Sequence, residues 1–347
     1  MACATSTLCL RQADDFRSSI LSCHCFTLSS LNPENQTWIE QLRAGDARAL
    51  ARAISVVENH SQGWSELLKA VFPYSGRARI LGLTGPPGAG KSTLVDQLAR
   101  YYRKEGLSIG IIAVDPTSPY TGGAILGDRI RMQEHSSDAG IYIRSMATRG
   151  SLGGLARTTA DVSTILDASG RDLIMIETVG VGQDEVDIVR LADITVVILV
   201  PGMGDDVQTI KAGILEIADI FVINKSDREG AERVEREIRA LQSLAVRSDN
   251  WTPPIVKTVA SEGAGIADLA AAIRDYEAYL EKENLISQKK VQNWQDRLIE
   301  MLRGALLEKA REQLGNGAVA DYAAEVAEHR RDPYELVEEI VGKLGKG

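Results

Sequence analysis

The sequence predicts an α/β fold in which a mostly parallel sheet is flanked by helices, and two observations support that prediction. Short apolar runs alternate along the chain with segments of helical periodicity, and some runs are apolar almost throughout, such as residues 195–200, TVVILV. A strand of that composition is buried on both faces, as in a parallel sheet covered by helices on both sides. The 347 residues, 44% of them hydrophobic, suffice for one large α/β domain with helical additions or for two domains.

The chain is predicted to begin with a leader, residues 1–36, that is disordered. All four cysteines of the chain lie there, at Cys3, Cys9, Cys23 and Cys25. Cys23 and Cys25 flank a histidine, but a tetrahedral metal site usually draws on a second ligand pair elsewhere, and the chain has no further cysteine. The leader is an ambiguous organelle-import peptide and could equally be an extension from an upstream start codon.

The regions that follow are predicted to be a helical segment at residues 37–78, an α/β domain at 79–281 and a helical arm at 282–347. Apolar residues recur at three- and four-residue spacings in the first and last of these regions. The predicted strands are 80–83, 108–114, 141–146, 173–176, 194–200, 220–223 and 255–259. The predicted helices between them include 155–168, 207–217 and 231–244. A terminal arm with an apolar stripe is usually packing, although such arms commonly dimerise.

A phosphate loop follows the first predicted strand. Residues 85–92, GPPGAGKS, match the pattern G-x-x-x-x-G-K-[ST], with a helical segment directly after it. Glycines let backbone N–H groups turn toward one anion, the lysine reaches the outer phosphates, and the hydroxyl binds Mg²⁺. The predicted phosphate-binding residues are Gly85, Pro86, Pro87, Gly88, Ala89, Gly90, Lys91, Ser92 and Thr93. The fold class is therefore a P-loop NTPase, with Mg²⁺ as cofactor.

Residues 224–227, NKSD, follow the predicted strand 220–223 and indicate which base is bound. The Asp227 carboxylate can accept two hydrogen bonds from the guanine ring N–H and exocyclic amine, a donor pair that adenine lacks. We expect Asn224 to bond the base and tie the loops together, and the Lys225 stem to cover the ring face, so the predicted domain at 79–281 is a GTP-binding domain. A simple strand-to-helix turn is the alternative interpretation. Three further residues are predicted to place a backbone N–H near the guanine carbonyl: Val259, Ala260 and Ser261.

Residues 177–180, ETVG, follow the predicted strand 173–176 and should lie beside the phosphate loop. A carboxylate at Glu177 can hold Mg²⁺ through water, and the Gly180 N–H can sense the γ-phosphate. Gln183 could orient the attacking water or be a polar loop residue without that role. We predict catalytic roles for Lys91, Glu177 and Gln183.

Two more carboxylates are predicted near the metal, so that its candidate ligands are Ser92, Asp115, Asp128 and Glu177. Asp115 ends the predicted strand 108–114, and Asp128 follows a loop rich in Gly, Pro and Thr. Asp128 could also act as the N-cap of a helix, which is compatible with a metal role. Arg144 is one of four arginines that could counter phosphate charge.

The charge and hydropathy of the chain argue against two classes of protein, sequence-independent nucleic-acid-binding proteins and membrane-spanning proteins. A net charge of −9 and a pI near 5.2 argue against sequence-independent nucleic-acid binding, which requires a basic face. No apolar run approaches the ~18 residues of a membrane-spanning helix. We therefore predict a soluble protein of the cytoplasm, with the mitochondrial matrix as the second possibility.

Taken together, these motifs resemble the MeaB/ArgK group of GTPases, which includes the methylmalonic aciduria type A proteins. The resemblance covers roughly residues 37–345. It rests on GPPGAGKST (85–93), VDPTSPYTGGAILGDRIRM (114–132), ETVGVGQDE (177–185), VPGMGDDVQTIKAG (200–213), NKSD (224–227) and RAGDARALARAI (43–54).

The resemblance implies slow GTP hydrolysis by a chaperone of an adenosylcobalamin-dependent acyl-CoA mutase, typically methylmalonyl-CoA mutase. Such proteins gate cofactor loading, protect the mutase and form a homodimer through a C-terminal helical arm. The resemblance further implies that residues 201–211 form a switch loop facing the mutase, with Lys211 contributing to catalysis.

Two other functions compete with this one. A kinase of a transport system would pass the γ-phosphoryl group to an acceptor, but no acceptor-binding element is visible and NKSD favours GTP. A nickel-insertion GTPase usually carries a His-rich tail or a Cys/His pair in the nucleotide domain, whereas the four histidines here are scattered.

Overall fold

The computed structural model describes residues 33–115, 138–147, 154–178, 191–202, 217–244, 247, 249–315 and 318–344. The strands are β1 (Arg79–Thr84), β2 (Ile109–Asp115), β3 (Ile141–Ala147), β4 (Leu173–Glu177), β5 (Ile194–Leu199), β6 (Ile220–Asn224) and β7 (Ile255–Thr258). They form one sheet in the order β3-β2-β4-β1-β5-β6-β7, and every pair is parallel. The predicted α/β fold with a parallel sheet is confirmed.

Ten helices are described. They are α1 (Pro33–Arg43), α2 (Ala47–Glu58), α3 (Trp64–Val71), α4 (Lys91–Lys104), α5 (Gly154–Ala168), α6 (Ala231–Leu244), α7 (Ile266–Lys282), α8 (Leu285–Leu314), α9 (Ala318–Ala327) and α10 (Pro333–Leu344). The helix predicted at 207–217 lies outside the described residues, apart from its last position. Helix α1 begins at Pro33, inside the stretch predicted as leader, and proline suits the first turn of a helix.

Alternate residues of each strand pack against opposite layers of helices, because successive side chains of a strand point to opposite faces. In β4, Leu173 and Met175 pack with the side chains of α4 and α7. Ile174 and Ile176 pack with those of α1, α2, α3 and α5. Helix α6 covers β5 and β6 on this second face, around Phe221. The sheet is thus buried on both sides, and this explains why its strands are apolar almost throughout.

Helix α8 lies at the edge of this core, where Leu285 and Ile286 pack against it and polar contacts hold the residues that follow. None of its 30 residues is fully buried. The Lys289 ammonium lies 2.9 Å from the buried Asp219 carboxylate, and Arg297 lies 2.9 Å from Asp161 of α5. Burial raises the pKa of Asp161, although the neighbouring Arg297 opposes that shift. The Trp294 ring packs edge-on against Phe72. These contacts fix the first half of α8 against the body of its own chain.

Within the described ranges, no helix is long and apolar enough to cross a membrane.

Candidate functional site

The candidate site lies at the carboxyl-terminal edge of the sheet, beside the central strand β1. Strand β1 ends at Thr84, the phosphate loop occupies residues 85–90, and α4 begins at Lys91. Strands β4 and β5 flank β1, so the residues that follow them reach the same edge. Ligands of open parallel sheets bind at this edge, outside the carboxyl ends of the strands.

Glycine is required at both ends of the phosphate loop. Gly85 has a φ of +151°, and a Cβ there would lie 2.2 Å from the carbonyl oxygen of Ile198 in β5. Gly90 has a φ of +86°, and its Cβ would lie 2.4 Å from the Asn224 amide nitrogen. No side chain fits either position without displacing a neighbouring strand or the Asn224 amide. The loop can therefore keep its backbone close to β5 and β6.

The Lys91 side chain is buried beneath the phosphate loop. Its ammonium donates hydrogen bonds to the carbonyl oxygens of Gly85 (2.8 Å) and Pro86 (3.1 Å). The side chain is thus held at the concave loop in which the motif binds phosphates. The charge is thereby placed at the loop, and phosphate oxygens could replace the two carbonyl acceptors.

Two of the predicted metal ligands are in direct contact. Ser92, in the first turn of α4, donates a hydrogen bond of 2.6 Å to the carboxylate of Glu177 at the end of β4. Glu177 is almost completely buried. A hydroxyl and a carboxylate at this distance are hard oxygen donors of the kind that Mg²⁺ prefers, directly or through water. This pair fits the predicted ion.

A buried threonine pair at this edge was not predicted. Thr178, directly after Glu177, donates its hydroxyl proton to the Thr84 hydroxyl (3.0 Å) and its backbone N–H to the Leu83 carbonyl (3.1 Å). These bonds extend the pairing of β4 and β1 past the strand ends and hold Glu177 beside the loop. The signal in the sequence was a threonine directly after the apolar run 80–83 and another that follows Glu177 after the run 173–176.

Asn224 joins three loops, as predicted. Its amide group donates a hydrogen bond to the Ala89 carbonyl in the phosphate loop (2.8 Å). Its amide oxygen accepts bonds from the Thr258 hydroxyl and the Ala260 N–H, both at 3.1 Å. Asn224 and its partners are buried, so each bond counts more than it would in water. The phosphate loop and the predicted base-binding loops are therefore one connected unit.

Lys225 and Asp227 lie at the open side of this unit. Lys225 has a positive φ of +54°, and its ammonium donates to the Gly88 carbonyl (2.7 Å), which stretches its stem across the loop. The Asp227 side chain is exposed. Of the three residues predicted near the guanine carbonyl, Val259 and Ala260 use their N–H groups internally, on Ala264 and Asn224.

Other predicted site residues are described only in part or not at all. Asp115 ends β2, two residues beyond Ala113, which pairs with Glu177. Its backbone is thus at the same edge of the sheet. Gly180, Gln183, Lys211 and Asp128 lie outside the described residues. Within the described part of the chain, no three His, Cys, Asp or Glu residues are gathered as a metal site.

Arg144, one of the arginines considered for phosphate, has another partner in the structure. Its guanidinium forms an ion pair with Glu58 of α2, with Nε 2.9 Å from the carboxylate. This hydrogen bond raises the pKa of Arg144. Arg144 therefore joins the N-terminal helices to β3.

Comparison with known proteins agrees with this site. Residues 50–314 match the family model described as methylmalonyl Co-A mutase-associated GTPase MeaB. The chain belongs to the MeaB family. It is a GTPase of that family, and the resemblance of its motifs to this group is confirmed.

Individual relatives can be matched to this MeaB family chain over most of its length. A Pyrococcus abyssi protein whose name assigns it to the GTPases is 49% identical over 311 residues, covering 88% of this chain and 96% of that protein. The mouse (Mus musculus) protein named methylmalonic aciduria type A homolog, mitochondrial, is 36% identical over 269 residues. The match covers 71% of this chain and 65% of that protein. A crystal structure described as an LAO/AO transport system kinase has a TM-score of 0.70 and 26% identity, covering 91% and 99%.

Proposed function

We propose that this MeaB family GTPase is a chaperone of an adenosylcobalamin-dependent acyl-CoA mutase, with methylmalonyl-CoA mutase as the partner. The observation that supports this most is the match of residues 50–314 to a family described by its association with that mutase. Hydrolysis of GTP would gate cofactor loading and protect the mutase from inactivation.

Nucleotide binding is assigned to the residues already placed at the sheet edge. Lys91 and the loop N–H groups would bind the phosphates, while Asp227 and the Lys225 stem would bind guanine. Because Val259 and Ala260 use their N–H groups internally, we assign the contact with the guanine carbonyl to Ser261, which is exposed.

Mg²⁺ would be held by Ser92 and Glu177, with Asp115 and Asp128 completing its shell or holding its waters. When bound, the ion would neutralise charge on the β- and γ-phosphates during transfer to water. Glu177 and Ser92 are already paired at 2.6 Å, so little rearrangement is needed to present both oxygens.

Three residues outside the described ranges would act at or near the γ-phosphate. We keep the assignment of Gly180 as the backbone N–H that contacts it and Gln183 as the residue that orients water. Lys211 would contribute to hydrolysis when the mutase is bound. Thr178 supports this assignment, because it fixes the chain two residues before Gly180 to Leu83 and Thr84 of β1.

The proposed homodimer would form through α8, α9 and α10. Large apolar side chains are exposed along these helices: Val291, Leu298, Ile299, Leu302, Leu306, Leu307, Val319, Val337 and Val341. Many exposed apolar side chains on one helical arm are the kind of surface that a partner or a second copy can cover. Sedimentation velocity that gave only monomer at micromolar concentration would exclude this arrangement.

The domain boundaries and the cytoplasmic location stay predictions.

The mutase proposal predicts a stimulated rate. We expect purified methylmalonyl-CoA mutase to accelerate phosphate release from GTP by this chain. We also expect the affinity of the two proteins to differ by about fivefold or more between GDP and a non-hydrolysable GTP analogue, the size of typical coupling between sites. Lys91→Ala is the control, since its mixture with mutase should release no phosphate. An unchanged rate and equal affinities would refute this partner.

A kinase of a transport system is the second candidate, because the similar crystal structure is described as one. The two functions differ in where the γ-phosphoryl group goes, to water or to an acceptor. No observation within the described residues favours nickel insertion.

A further inference from the structure

A second polar cavity lies at the opposite edge of the sheet from the nucleotide site. It has a volume of about 450 Å³ and lies between the end of α1, the segment before β1 and the turn before β4. The charged residues that line it are Arg43, Arg77, Arg79, Arg171, Asp167 and Asp172. Along β4 alone, from Leu173 to Glu177, the two sites are separated by roughly 13 Å, at about 3.3 Å per residue.

The two carboxylates of the cavity are engaged by other groups. Asp167 accepts hydrogen bonds from the backbone N–H groups of Gly76, Arg77 and Ala78. Asp172 accepts from the backbone N–H and the hydroxyl of Ser108, and these bonds help lower its pKa although burial opposes them. Both carboxylates therefore shape the backbone around the cavity.

Among the described residues, three of the four arginines have no ion-pair partner. Arg79 is bound by Glu277, with both carboxylate oxygens 2.8 Å from one guanidinium nitrogen. Within the described ranges, no carboxylate lies in ion-pair contact with Arg43, Arg77 or Arg171. Arg43 instead stacks its guanidinium over the Tyr74 ring at 3.7 Å. The cavity thus has an excess of positive charge.

Arg171 is the arginine of the cavity whose positive charge is buried with the fewest hydrogen-bond acceptors around it. It is 7% exposed, and its guanidinium donates one long bond of 3.3 Å, to the Ala139 carbonyl. Its buried Nε has no hydrogen-bond partner among the described residues. Burial and the charge of Arg103 lower its pKa. A buried charge without a partner is strongly unfavourable, so an anionic ligand would offset a cost that the chain otherwise bears.

We propose that this cavity binds a small phosphate monoester through Arg43, Arg77 and Arg171. A phosphate dianion offers three oxygens, which suit three guanidinium groups arriving from separate segments better than a carboxylate does. The volume lies within the ~300–1,000 Å³ of small-molecule sites and exceeds what phosphate alone would fill. Tyr74, Leu107 and Ala168 supply the apolar wall for the ester group. This site is additional to the nucleotide site and to its proposed function.

The test is a calorimetric titration of the full chain with phenyl phosphate and, separately, with inorganic phosphate. Mg²⁺ and excess GDP are kept present so that the phosphate loop is filled. We expect saturable binding of phenyl phosphate with a Kd of about 1 mM or tighter. The double variant Arg43→Gln, Arg77→Gln should bind at least about tenfold more weakly, because two charge-assisted hydrogen bonds are lost. Both side chains are exposed, so the variant should fold.

A matched control separates this site from general charge effects. Arg236→Gln removes an exposed arginine of α6, far from the cavity, and should leave the affinity unchanged. Equal affinities of the wild type and the double variant would overturn the proposal. Absence of binding at about 10 mM phenyl phosphate would do the same.

Discussion

Replacing Lys91 with Ala is expected to reduce GTP hydrolysis by about a thousandfold or more, since a preorganised positive charge at the phosphates is lost. The ammonium is already held against the Gly85 and Pro86 carbonyls, so wild-type chain needs no rearrangement of the helix to present it. Phosphate release under saturating GTP measures the effect, and thermal unfolding shows whether the variant is folded.

Lys104→Ala is the matched control for Lys91, because Lys104 is an exposed lysine at the other end of the same helix. It should hydrolyse GTP at the wild-type rate. Retention of more than a tenth of the wild-type rate by folded Lys91→Ala would exclude the phosphate-loop mechanism, because one oxyanion-stabilising donor alone is typically worth about a hundredfold.

Replacing Asp227 with Asn is expected to change which base is bound. The carboxylate can accept two hydrogen bonds from guanine, and each bond to a charged group contributes about 1.5–3 kcal/mol, so the affinity for GDP should fall by at least about a hundredfold. An Asn side chain offers one acceptor and one donor, which matches the ring N–H and exocyclic oxygen of xanthine. We therefore expect the variant to bind xanthosine diphosphate more tightly than GDP.

Glu229→Gln is the control for Asp227, because it removes another exposed carboxylate two residues along the same turn. Calorimetric titrations with GDP, ADP and xanthosine diphosphate should give wild-type values for this control. If Asp227→Asn kept its preference for guanine, the base would be recognised elsewhere.

The nucleotide site was predictable because its signals are local in the sequence. The glycines of the loop, Lys91 and Ser92 are neighbours in the chain, and NKSD directly follows a strand. The same local patterns placed the strands within one or two residues of their observed ends. Helix α6 was predicted with its observed bounds, because apolar spacing is regular from Ala231 to Leu244.

Contacts between distant segments could not be predicted in the same way. We expected Asn224 to connect the loops, and it bonds to Ala89 of the phosphate loop. Its further bonds to Thr258 and Ala260 depend on how β6 and β7 align. The pairing of Ser92 with Glu177 likewise joins residues 85 positions apart. The arginine cavity combines α1, the segment before β1 and the turn before β4, and nothing in the spacing of its residues reveals it.

The central claim is that this chain hydrolyses GTP, and the fate of the γ-phosphoryl group tests it most directly. In hydrolysis, a water oxygen bonds to the γ-phosphorus as the bond to the bridging oxygen breaks. The reaction is run with γ-³²P-labelled GTP, and in parallel in ¹⁸O-enriched water, with and without candidate acceptor proteins. We expect all label to appear as inorganic phosphate carrying one solvent oxygen per molecule. Label retained on a protein, or phosphate without solvent oxygen, would contradict the claim.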